Sequence, residues 1–158
     1  MEKQYNNIIN KKSDFDFCKI NVIINSSYNY FIPNERQEKS ILEGNIFEEL
    51  ISKGNFISTQ AILIRKNFVF KHLFDIKMPR LQDYDIILTM IPEVKISYTK
   101  EVLVDLHIQK NSLQLSKNKL KKAILILLKK NYNFNSNQKV LFTKYLKYLL
   151  KFYFNLTK

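Results

Sequence analysis

The stretch Met78-Pro79-Arg80-Leu81-Gln82-Asp83-Tyr84-Asp85-Ile86-Ile87-Leu88 decides how the chain is read. A proline-bearing irregular segment here gives way to a helix, because Ile86, Ile87, Met90 and Ile91 recur at the spacing of one buried helical face. Asp83 and Asp85 fall in its first turn, where free backbone N–H groups and the helix dipole favour negative charge. An acid placed there stays ionised while facing a cleft. The position suits a catalytic base, and it is equally an ordinary place for a helix cap.

Outward from this segment the pattern is α/β. Residues 17–25 read as a strand and 26–34 as a polar, aromatic loop. Asn45-Ile46-Phe47-Glu48 has capping-box spacing, and Gly54 can close that short helix in a left-handed conformation. Residues 60–65 read as a strand, 66–80 as loop with one helical turn, and 82–92 as the helix above. Two strands follow at 94–98 and 102–108, then a helix capped by Ser116 with Leu120, Ile124, Leu127 and Leu128 apolar, then a last helix over 137–154.

At 158 residues the chain is one domain's worth of protein, with enough apolar content for a real core. Its single cysteine, Cys18, excludes an internal disulfide and reads as a buried structural thiol in a reducing compartment. No window reaches the ~20 apolar residues of a membrane span, and the N-terminus lacks a signal-peptide core. Charge is uneven. After Asp105 there is no acid, while twelve lysines lie between Lys110 and Lys158, so the whole net charge of +12 belongs to the last third. That asymmetry points to an anionic surface as partner.

The wording of several segments resembles family 2 glycosyltransferases, inverting enzymes of the GT-A (Rossmann-like) fold. Phe74-Asp75 followed by the 78–85 segment resembles the family's acceptor-side motif, in which Glu/Gln-Asp-x-Asp opens a helix. Gly54-Asn55-Phe56-Ile57 through Arg65 resembles its Gly-Asn-x-Ile strand with a trailing Arg. Val102-Leu103-Val104-Asp105-Leu106-His107-Ile108-Gln109 and Asn111-Ser112-Leu113 resemble its closing strand and Asn-Ser turn. The likeness spans roughly residues 1–130, in order.

This resemblance implies a partial GT-A fold: an acceptor-side part at 1–115 and a Lys-rich helical extension at 116–158. The opening Met1-Glu2-Lys3-Gln4-Tyr5-Asn6-Asn7-Ile8-Ile9 resembles the helix just after the family's Asp-x-Asp metal motif, a resemblance that implies a nucleotide-sugar half upstream of Met1. The two glycines, Gly44 and Gly54, fit no phosphate-cradling loop. A divalent metal, Mn or Mg, is expected for the complete enzyme, with its binding motif missing here. A separately encoded N-terminal half, or a decayed gene, would explain the arrangement. Poor solubility is expected, because losing that half exposes the sheet.

Residue by residue, Asp83 becomes the general base that takes the proton from an acceptor hydroxyl attacking the anomeric carbon. Gln82 orients the acceptor, and Arg80 meets a substrate hydroxyl or phosphate, or pairs with Asp83 or Asp85. Asp85 is a further substrate-side candidate whose simpler role is to cap the helix or hold the loop. The substrates implied are a nucleotide-sugar and a glycan or lipid-linked acceptor of surface-polysaccharide type. Leu73 stands where the family usually has Gly, a departure that bears on acceptor preference rather than fold.

Two decoys are weighed against this. Asp14-Phe15-Asp16 is an Asp-x-Asp, but Asn10-Lys11-Lys12-Ser13 precede it rather than an apolar strand, so a solvated turn leading into a strand is the better reading. His107 reads as a packed strand histidine, since aligning on Asn111-Ser112 puts Gln109 in the family's His slot, and His72 is distant in sequence.

In the last helix Lys144, Lys147 and Lys151 form one stripe beside a wide Leu, Phe and Tyr surface. That composition suits a helix lying on an anionic membrane, or one packed on the domain or a second subunit. A peripheral location at the cytoplasmic face of an inner membrane follows from the first option. The competing class is a non-enzymatic basic protein that binds nucleic acid or an anionic membrane. Nucleic acid is the weaker partner, because 23 of the 26 basic residues are Lys, whereas base reading favours Arg.

Overall fold

A computed structural model describes residues 1–24, 28–108 and 116–154. Among them the chain is α/β, with a mixed open sheet of four strands and seven α-helices. β1 (Phe15–Ile24) is the spine. On one side it pairs antiparallel with β3 (Ile62–Ile64) through Phe15–Phe17, and with β2 (Tyr28–Ile32) through Ile20–Ile24. On the other it pairs in parallel with β4 (Ile96–Ile108). Its side chains alternate between faces. Phe15 and Phe17 enter the main core, while Cys18, Ile20 and Val22 form a second, smaller cluster.

The helices are α1 (Glu2–Lys11), α2 (Glu35–Leu42), α3 (Ile46–Lys53), α4 (Lys66–Lys71), α5 (Gln82–Met90), α6 (Lys117–Lys129) and α7 (Ser136–Phe154). α5 is the hydrophobic centre, with Tyr84, Ile86, Ile87, Leu88 and Met90 all buried. α6 and α7 share that core: Leu120, Ile124, Leu127, Phe142 and Leu146 pack in the same cluster as Phe17, Leu50 and Tyr84. The Tyr84 hydroxyl donates to the Leu50 carbonyl at 2.5 Å, which pins α5 to α3. No helix among the described residues is long and apolar enough to cross a membrane.

Several sequence expectations change. The Asp14-Phe15-Asp16 segment is not a solvated turn: Asp16 lies within β1 and is fully buried. Its carboxylate accepts hydrogen bonds from Ser97 Oγ (2.6 Å), Thr99 Oγ1 (2.8 Å) and Asn7 Nδ2 (2.6 Å), and these offset the cost of burying a charge. The polar loop expected at 26–34 contains strand β2 over its described part, where Tyr, Phe and Ile suit a hairpin arm. The strands expected at 94–98 and 102–108 are one, β4. Its register on β1 jumps from Thr99 to Val102 and then to Val104, so a bulge replaces the expected break.

The strand expected at 60–65 shrinks to Ile62–Ile64, preceded by a 3₁₀ turn at Thr59–Ala61. The Asn45 side chain makes no cap bond, because Asn45 is not in the extended conformation a capping residue adopts (φ −91°, ψ 23°). The capping box occurs at α2 instead, where Asn34 and Gln37 exchange bonds of 3.0 and 3.1 Å. His107 is exposed, and the buried histidine is His72. Gln109 and the Asn111-Ser112-Leu113 turn lie outside the described residues.

Candidate functional site

The segment ahead of α5 is anchored by Met78, which is buried and donates its N–H to the Asp75 carbonyl at 3.0 Å. The chain then turns into the helix through Leu81, held in the left-handed region (φ 60°, ψ 29°). For a residue with a β-carbon that conformation costs about 1–2 kcal/mol, so the surroundings must impose it. Leu81 packs against the main core, which supplies part of the restraint. Its backbone carbonyl receives the Asp85 N–H at 2.9 Å, and its side chain provides no cap. The Asp83 carboxylate takes the capping part, accepting the Tyr84 N–H at 2.8 Å.

Asp83 faces Asn55. The Asn55 side-chain oxygen accepts the Ile57 N–H at 3.1 Å, closing a small turn after α3, and its amide donates toward Asp83. Burial pushes the Asp83 carboxyl above its usual range, while the Tyr84 N–H, the Asn55 amide and the Thr59 N–H pull it back. The net effect is a carboxylate with more than ordinary proton affinity, as a general base requires.

Asp83, Gln82, Arg80, Asn55 and Ser58 line one cavity of about 310 Å³, whose apolar wall includes Ile20 and Val22 of β1 and Leu106 and Ile108 of β4. That volume lies at the small end of small-molecule sites, which run from about 300 to 1,000 Å³. The lining mixes amide, carboxylate, guanidinium and aliphatic groups. Gln82 donates to the Met78 carbonyl at 2.9 Å, and Arg80 donates to the Ser116 carbonyl at 3.2 Å, tying the cavity rim to the start of α6.

Asp85 sits elsewhere. It is buried, accepting the Tyr132 hydroxyl at 2.6 Å and the Lys130 ammonium at 2.5 Å. Lys130 also reaches Asp75 at 2.7 Å. Burial works against the Lys130 charge, but the hydrogen bonds to Asp75 and Asp85 outweigh it and hold the ammonium above its ordinary range. Of the four residues singled out in sequence, Arg80, Gln82 and Asp83 therefore meet in the cavity, and Asp85 ties α5 and the Asp75 loop to the segment between α6 and α7.

One residue of the site, Asn55, carries no side-chain role in the sequence reading. Asn55 was visible only as the second half of a Gly-Asn pair. Tyr145 lies outside the cavity but backs its turn from 91 positions away: a β-carbon on Gly54 would collide with its ring and hydroxyl. Gly54 has φ 95° and ψ −173°, a positive φ but not the left-handed helical conformation. It is glycine both for that φ and for the approach of α7.

The Asp14 and Asp16 carboxylates do not fit a divalent metal. Both Asp16 oxygens are taken by Asn7, Ser97 and Thr99, while Asp14 accepts the Lys95 N–H at 3.0 Å and lies 3.7 Å from the Arg65 guanidinium. Among the described residues no group of three or more His, Cys, Asp or Glu side chains is arranged to hold an ion. Compared with known proteins, the chain matches no family model, no curated protein and no solved structure.

Proposed function

We propose that this chain is the acceptor-side part of a family 2, GT-A-type glycosyltransferase, with Asp83 as the base that deprotonates the attacking sugar hydroxyl. The observation that carries the reading is the convergence of Asn55, Arg80, Gln82 and Asp83, from two separate segments, on one cavity with a partly desolvated carboxylate. In this reading Asp83 takes the proton as the acceptor oxygen attacks the anomeric carbon of a nucleotide-sugar, inverting it. Asn55 holds the carboxylate in place, and Gln82 and Arg80 position acceptor hydroxyls or a phosphate. The aliphatic wall receives the sugar's C–H face.

The donor's diphosphate and its metal belong to a nucleotide-binding part that the described residues do not supply, either elsewhere in a longer protein or as a separate chain. The test is transfer of radiolabelled sugar from a panel of nucleotide-sugars to a glycan or lipid-linked acceptor, with Mn²⁺ or Mg²⁺ and the donor-binding part present. Asp83→Asn should lower the rate by roughly 10²–10⁴-fold, the range of a general base. Transfer that survives this change would remove Asp83 from the chemistry.

A further inference from the structure

We infer that the outward face of α7 is a docking surface for an anionic phospholipid bilayer. The inference stands apart from the transferase reading, because it uses none of the cavity residues. The inner face of α7 is occupied: Phe142 and Leu146 are buried, and Leu149, Leu150 and Phe154 pack on the core. What remains outside divides lengthwise into two rows. Lys144, Lys147 and Lys151 form one, and Leu141, Tyr148 and Phe152 the other, with Tyr148 and Phe152 being 59% and 63% exposed. Tyr148 and Phe152 stack at 5.8 Å, so the aromatic row is continuous.

Charge selects the partner. Residues 116–154 carry ten lysines and no Asp or Glu, so this face meets a negative surface without any acid to repel it. A second copy of the chain would bring two lysine rows and no acid from α7 into one interface, and is disfavoured for that reason. A bilayer accepts both rows at once: the rings and Leu141 enter the headgroup boundary, and the lysine stems snorkel towards lipid phosphates. A 19-residue helix is about 28 Å long, so it can lie flat and engage several headgroups. Nucleic acid would find the lysines and could stack on Tyr148 or Phe152, but exposed Leu141 and Val140 beside them give it nothing to pair or stack with, whereas a bilayer takes up the aliphatic and aromatic side chains together.

The experiment is flotation of the full chain with vesicles of phosphatidylcholine alone and of phosphatidylcholine mixed with phosphatidylglycerol. Binding is expected only to the mixed vesicles. The triple variant Lys144→Gln, Lys147→Gln, Lys151→Gln should weaken it about a hundredfold, at about fivefold per lysine near a charged surface. The variant Tyr148→Ser, Phe152→Ser should leave binding that added salt abolishes, whereas the unaltered chain retains part of its binding in salt. All five positions are solvent-exposed, and circular dichroism confirms that each variant is folded. Equal binding to both vesicle types, no flotation at all, or flotation that the lysine variant keeps would each overturn the inference. So would a dimer formed through α7, or single-stranded nucleic acid outcompeting the vesicles.

Discussion

Asp83 and Asp85 are two residues apart on one helix, yet their surroundings give them opposite tasks. Asp85 is buried with two donors aimed at it, so Asp85→Asn should destabilise the fold by about 1.5–3 kcal/mol in urea unfolding, the worth of the charge-assisted bonds from Tyr132 and Lys130 that it weakens. Asp83 is partly desolvated, and burial raises its proton affinity on folding although the Arg80 guanidinium lines the same cavity. The sign follows from that. The folded state holds this proton to a higher pH than the unfolded chain does, so ionisation of Asp83 opposes folding at neutral pH, and the penalty disappears as pH falls below the carboxylate range. Asp83→Asn should therefore raise the melting temperature near neutral pH, and the gain should vanish in acid. A fall in melting temperature at neutral pH would contradict that environment.

At the scale of elements, α7 lies against the turn that carries Asn55, through the approach of Tyr145 to Gly54. Gly54→Ala should cost about 2–3 kcal/mol, combining the positive φ with the collision against Tyr145. Shortening Tyr145 to Ala in the same chain should recover part of that loss, with a coupling of roughly 1–2 kcal/mol in a double-mutant cycle. Additive losses would mean the two residues do not touch. At α2, Asn34→Ala should remove about 1 kcal/mol by breaking the capping box. These examples also mark where sequence stopped being legible. The periodic helices at 82–92, 116–130 and 137–154 were readable because their apolar faces repeat locally. The segments 14–16 and 28–32 were not, because Asp16 looks solvated until Ser97 and Thr99 are brought alongside, and the arm at 28–32 stays exposed over 29–31 and is a strand only through its backbone pairing with β1. A buried carboxylate whose partners lie 81 and 83 positions away has no local signature.

Across the whole molecule, residues on both sides of 115 share one core, so the last two helices are structural whatever else they do. Removing residues 136–158 should abolish cooperative thermal unfolding, since Phe142 and Leu146 leave the cluster and Leu50, Tyr84 and Leu127 lose cover. The site was legible as one segment, 78–85, but its other half, Asn55, is identified only by the way α3 delivers it. The cavity's chemistry, more than any single residue, carries the proposed activity. Its most direct test is saturation-transfer NMR of the chain with a panel of monosaccharides and methyl glycosides. The account predicts saturation transfer to the hydroxyl-bearing ring of at least one sugar, lost when Gln82 and Asp83 are both changed to Ala in a chain that still melts cooperatively. No transfer to any sugar in the panel, or transfer that the double variant retains, would contradict it.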